Sequence, residues 1–77
     1  MSRLRLCTYR QFARIAGRCG FEWLRWVGSH NTFRHADGRT LVVPDHGAEP
    51  LVRPLLRRLI RDRGLSVDEY NGILAQG

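Results

Sequence analysis

There is no lysine in this chain: all 13 of its basic residues are arginine. The absence removes the amine that would serve as a Schiff-base former or a tunable acid or base. It leaves cations that keep their charge and present a planar fork suited to phosphate oxygens. Cysteine is scarce too. Cys7 and Cys19 are too few for a disulfide framework and are not spaced like zinc-knuckle ligands, so they read as reduced thiols, Cys19 at a helical core position. Long apolar runs are missing, and Leu4 and Leu6 alternate with Arg3 and Arg5. That leaves neither a secretory segment nor a membrane span, and the expected location is cytoplasmic. A length of 77 residues allows one domain, residues 1–77, with a modest core and a shallow site rather than a deep cofactor cavity.

Positive charge is what the chain has in excess. Thirteen basic residues against 7 acidic give a net charge of +6, a field that attracts polyanions: RNA, DNA, a membrane face or an acidic protein. Charge alone does not choose among them. All three histidines fall between residues 28 and 46, among turn signals and short β-prone runs, so the chemistry is expected there.

Taken in order, residues 1–7 read as a short arm with at most one extra strand turn. Thr8 is placed to cap a helix in which Phe12, Ile15, Ala16 and Cys19 follow the i, i+3, i+4, i+7 spacing of one buried face. Gly17 costs that helix about 1 kcal/mol against alanine, which suggests a close approach there, and Gly20 reads as its terminator. Phe21 to Val27 reads as a strand with apolar residues on both faces, Phe21, Trp23 and Val27 against Leu24 and Trp26. Either a partner covers the excess or it forms an aromatic platform for bases.

Asp37-Gly38 is a hairpin signal. A loop of Ala36, Asp37 and Gly38 sets His35 opposite Arg39 and Phe33 near Leu41, with Phe33, Leu41 and Val43 in the core. By alternation His30, Thr32 and Arg34 then share the outer face with Thr40 and Val42. Pro44 ends the third strand. Pro54 suits the first turn of a helix buried through Leu55, Leu56, Leu59 and Ile60 and stopped by Gly64. Ser66 with Glu69 is a capping box, and Leu65 with Tyr70 a hydrophobic staple, for a last helix using Tyr70, Ile73 and Leu74.

Gly20-Phe21-Glu22, Gly28-Ser29-His30, Phe33-Arg34-His35, Asp37-Gly38-Arg39, Val43-Pro44 and Gly64-Leu65-Ser66-Val67-Asp68-Glu69-Tyr70, in this order and spacing, resemble the HicA family of bacterial mRNA interferase toxins over nearly the whole chain. The resemblance implies an α+β fold like a double-stranded RNA-binding domain, α-β-β-β-α with a three-stranded antiparallel sheet and a short C-terminal helix. It implies a ribosome-independent endoribonuclease of a type II toxin–antitoxin system, acting on mRNA and neutralised by a HicB-type antitoxin. The critical histidine of Gly-Ser-His falls on His30. The family usually carries polar or charged residues where Trp26 and Val27 stand, and commonly glycine and threonine at Pro54 and Leu55.

A lone histidine on a sheet surface is ordinarily just solvated; the motif is what turns His30 into a catalytic candidate. Its imidazole suits taking the proton of an RNA 2′-hydroxyl or protonating the leaving 5′-oxygen. Candidates for a second proton-transfer group are His46, His35 and Tyr9, with a solvated loop histidine and a structural one as the plain alternatives. Ser29 and Thr32 flank His30 as RNA contacts. Arg34 is the first choice to hold the scissile phosphate. Arg53, Arg57 and Arg61 form either an ordinary solvated stripe or a track for RNA or for an antitoxin's carboxylates. Three histidines as a metal site is the weakest reading, since His30 and His35 face opposite ways along a strand. No cofactor is implied, metal or small molecule. The rivals are a non-catalytic RNA-binding module and a protein-interaction domain for an acidic partner.

Overall fold

A computed structural model of the chain describes residues 3–76. Of the expected arm, residues 1–2 lie outside the described residues. The elements run α1 (Tyr9–Arg18), β1 (Phe21–Val27), β2 (His30–His35), β3 (Thr40–Pro44), α2 (Arg53–Asp62) and α3 (Val67–Ala75). The strands form an antiparallel sheet in the order β1-β2-β3. This is the α+β, double-stranded-RNA-binding-domain-like arrangement that the resemblance implied.

Local chemistry explains where the helices begin. The Thr8 side chain accepts from the Gln11 amide at 3.3 Å, and Gln11 Oε1 accepts from the Thr8 amide at 2.9 Å. Ser66 and Glu69 form the same reciprocal pair at 3.1 and 2.9 Å, as expected. Each box satisfies two helix-end donors that would otherwise be orphaned. α2 has no side-chain cap and relies on Pro54 in its first turn, where a missing N–H costs nothing. Two expectations for α1 fail. Cys19 is not inside the helix but is its C-cap, partly buried against the core, because Gly20 with φ of 90° ends the helix there. Nothing lies within 4 Å of a Cβ built at Gly17, so no close approach requires that glycine.

α1 contributes Phe12, Ile15 and Ala16 to the core, α2 Leu56, Leu59 and Ile60, and α3 Tyr70; Leu55 is only partly buried. From the sheet come Phe21, Phe33, Leu41 and Val43. Each large side chain buried this way stabilises the fold by about 1.5–3 kcal/mol. The arm holds more of the core than its sequence suggests. Leu4 and Cys7 are buried, the Leu51 amide donates to the Cys7 carbonyl at 2.8 Å, and the Tyr70 hydroxyl donates to the Arg5 carbonyl at 2.6 Å. Burial pushes the Cys7 thiol above its usual range and the Tyr70 phenol well above its own. Arg63 is also enclosed, 7% exposed, with its guanidinium 4.5 Å from the Phe12 ring centroid and 5.0 Å from that of Phe21.

Because the core residues of the sheet all lie on its helix side, the opposite face is left open. It carries the histidine motif.

Candidate nucleic-acid interface

Two hairpins fix what the open face displays. Val27 pairs with His30 across Gly28-Ser29, with φ of 60° at Gly28 and no positive φ at Ser29, the pattern of a type II′ turn. The second loop is Ala36, Asp37 and Gly38, closed by the His35 amide donating to the Arg39 carbonyl at 2.8 Å, with φ of 96° at Gly38. Phe33 therefore pairs with Leu41 and Arg34 with Thr40. The expected register holds, and His30, Thr32 and Arg34 share the outer face.

β1 departs from simple alternation. The ladder slips between Trp23 and Arg25, so Leu24 has no partner and the residues after it change face. Phe21, Trp23 and Trp26 pair with His35, Phe33 and Asn31 on the helix side, while Glu22, Arg25 and Val27 pair with Arg34, Thr32 and His30 on the open side. Strict alternation had grouped Val27 with Phe21 and Trp23; the bulge separates them.

The open face is thus three cross-strand rows: Val27, His30 and Pro44; Arg25, Thr32 and Val42; Glu22, Arg34 and Thr40. Rows two residues apart are separated by about 7 Å, so Arg34 stands about 13 Å along the strand from His30. It also has Glu22 directly across the ladder. Arg25 is the nearer cation, diagonal to His30 at a Cα distance of about 7–8 Å. Sequence reasoning passed over Arg25. The available signal was the pair of tryptophans three apart, a spacing that two-residue alternation cannot put on one face.

His30 is exposed, between the apolar side chains of Val27 and Pro44. The loop after β3 is tied to its turn. The Asp45 amide donates to the Ser29 carbonyl at 2.7 Å, and Asp45 Oδ1 accepts from the Gly47 amide at 2.9 Å. His46, exposed, is therefore held at the His30 end of the sheet. Tyr9 borders a depression at this end together with Asp45 and Gly47, and burial, then the Asp45 charge, raises its phenol above the usual range.

His35 is elsewhere. It occupies the far end of β2 on the helix side, with its ring edge-on to Phe21 at 5.1 Å between centroids. A Cβ at Gly20 would come within 2.9 Å of its Nε2. Its Nδ1 lies 3.1 Å from both the Asp37 amide nitrogen and Asp37 Oδ1, so the neutral ring accepts from the amide and the protonated ring pairs with the carboxylate. Those contacts are structural.

Arg53, Arg57 and Arg61 are exposed along a flank of α2, roughly 60–140° around the helix from the direction of Leu56, Leu59 and Ile60. Arg53 is partly engaged, donating to the Leu4 carbonyl at 3.1 Å. The stripe belongs to the helical layer rather than to the face of His30. Among the described residues, no three His, Cys, Asp or Glu side chains cluster in a way that would hold a metal ion. No described helix is long and apolar enough to cross a membrane.

A search of curated proteins returns no significant match. The sequence profile of the HicA toxin of bacterial toxin–antitoxin matches residues 9–65, a span from the first helical residue through all three strands to the end of α2. With that match over most of its length, joined to the α-β-β-β-α-α order of its elements, the chain belongs to the HicA toxin family.

Proposed function

We propose that this HicA-family chain is a ribosome-independent, metal-independent endoribonuclease that cuts mRNA in the cytoplasm through His30 and is neutralised by a HicB-type antitoxin. The observation that carries the reading is the open sheet face on which an exposed His30 stands one row from Arg25 and two from Arg34. RNA brings its own nucleophile, the 2′-hydroxyl next to each phosphate. A site that orients the chain and moves protons therefore suffices for transesterification.

His30 exchanges a proton with the 2′-oxygen or the leaving 5′-oxygen, and His46, held at the same end of the sheet, serves as the second proton-transfer group. Arg25 takes the phosphate-neutralising role first assigned to Arg34, on grounds of proximity and of the Glu22 charge facing Arg34. Arg34, Ser29 and Thr32 guide the flanking backbone. Arg57 and Arg61, with Arg53 in part, take an RNA that continues past the sheet edge, or the antitoxin's carboxylates. The antitoxin covers the His30 face, where Val27, 71% exposed, offers an apolar anchor beside Arg25.

The test is incubation of purified protein and its His30→Ala variant with end-labelled RNA, with and without a chelator. Cleavage by the parent that persists in chelator, with a rate about a hundredfold or more lower in the variant, supports the reading. RNA bound without turnover makes the chain a non-catalytic binding module.

A further inference from the structure

Trp23 and Trp26 lie on the helix side of β1 near the His30 turn, yet the helices leave them uncovered, 48% and 64% exposed. They are not loose side chains. Their rings stack with centroids 5.7 Å apart and planes 27° from parallel, and Trp23 Nε1 donates to Asn31 Oδ1 at 2.9 Å. That bond consumes the one polar group of the Trp23 indole and orients its ring. What remains to offer is aromatic face. The bulge at Leu24 is what makes the pair, since without it the two indoles would point to opposite sides of the sheet.

Resting on the reading of the chain as an RNA-cleaving enzyme, we propose that the Trp23–Trp26 stack is a platform on which an unpaired base of the substrate strand stacks, close to the nucleotide cut at His30. Position supports this occupant. Trp26 pairs with Asn31, the residue next to His30, and among the described residues β1 is an edge strand of the sheet. A single strand whose phosphate lies beside His30 and Arg25 reaches the indoles by passing around that edge. Charge supports it as well: net +6 draws in a polyanion, and stacking on indole adds an attraction open to every base because each has a π face.

Area argues against a protein as the main occupant. Two partly exposed indoles supply roughly 250 Å², against about 800 Å² per partner in a stable protein interface. Arg25 and Val27 point to the other face, so among the strand neighbours it is Leu24 at the bulge, 45% exposed, that extends the apolar surface, and by a single side chain. The consequence is that the enzyme prefers single-stranded over fully paired RNA at its cleavage site.

A 2′-deoxyoligonucleotide, which offers no internal nucleophile, separates stacking from cleavage. Its affinity is compared with that of an abasic oligomer of equal length and charge, following tryptophan fluorescence, for the parent, Trp26→Ala and Trp26→Phe. The platform gives quenching by the base-bearing strand alone. It also gives a fivefold to hundredfold affinity advantage over the abasic strand, lost in Trp26→Ala and largely kept in Trp26→Phe. Equal affinity of the parent for the two oligomers overturns the proposal. So does a Trp26→Ala variant that binds both oligomers like the parent while losing affinity for its antitoxin, which would make the pair a protein contact. Quenching and base preference in a protein that never cuts RNA would leave the platform standing and overturn the cleavage reading alone.

Discussion

The backbone amide of Asp45 donates to the carbonyl oxygen of Ser29 at 2.7 Å, and that bond makes the Gly28-Ser29 turn and the loop after β3 one unit. His30 leaves the turn and His46 sits in the loop, so the two histidines share one end of the sheet while His35 is packed at the other.

Histidine substitutions should therefore divide into two kinds. His46→Ala should lower kcat by about 10–100-fold and remove one limb of the pH–rate profile. His35→Ala should cost about 1 kcal/mol of stability through the lost edge contact with Phe21 and leave the shape of the profile intact. A pH–rate series on both variants decides the assignment. An unchanged profile in His46→Ala takes that residue out of the chemistry.

Arg63 is a buried cation whose guanidinium has no protein hydrogen-bond acceptor among the described residues. Burial lowers its pKa below the usual range. The aromatic rings of Phe12 and Phe21 and its place at the C-terminal end of α2 favour the cation. Replacing it with an apolar side chain of similar length removes the desolvation cost and keeps the packing. Arg63→Met should leave stability within about 1 kcal/mol of the parent or raise it, whereas Arg63→Ala should cost about 2–4 kcal/mol by opening a cavity. Denaturant midpoints at constant slope measure both.

Gly17 spends helix stability without a contact in return. Gly17→Ala should stabilise the protein by about 0.5–1 kcal/mol, a rise in Tm of a few degrees for a chain of this size. Gly20→Ala should do the reverse, since φ is 90° there and a Cβ would meet the His35 ring. Thermal melts of the pair test both signs together.

Acid should weaken the fold through two exposed carboxylates. The Arg39 amide, and then the Arg39 side chain, hold Asp37 below the usual carboxylate range, and the Ser66 amide and hydroxyl do so for Glu69. A carboxylate depressed in the folded state contributes stability above its unfolded pKa of about 4, and loses it as pH falls through the lower folded value. Urea midpoints should be flat from neutral pH to about 5 and fall below about 4, less steeply in the Asp37→Asn, Glu69→Gln double variant. Equal slopes in parent and variant would remove these two carboxylates from the acid response.

Much of this architecture is legible in the sequence because local signals agree with one another. Asp37-Gly38 sets the loop, Phe33 sets the buried parity of β2, and together they put His30 on the open face by alternation alone. Thr8 as a cap and Ser66 with Glu69 as a capping box mark helix starts through side-chain chemistry. The bulge was not legible, because Leu24 carries no turn residue and Phe-Glu-Trp-Leu-Arg-Trp-Val has apolar residues at both parities. Arg25 was missed with it. The burial of Leu4, Cys7 and Arg63 depends on Leu51, Tyr70 and two phenylalanines far away in the chain, and no local pattern announces such contacts.

The most direct test of the central claim is a single 2′-deoxy substitution at a mapped cleavage site in an otherwise ordinary RNA. With the 2′-hydroxyl as an internal nucleophile and His30 moving a proton to or from the reacting oxygens, the substituted strand is not cut at that bond while neighbouring sites are. The parent RNA yields a 2′,3′-cyclic phosphate or the 3′-phosphate formed from it. Continued cleavage at the deoxy position, or a His30→Ala variant that cuts as fast as the parent, would contradict the account.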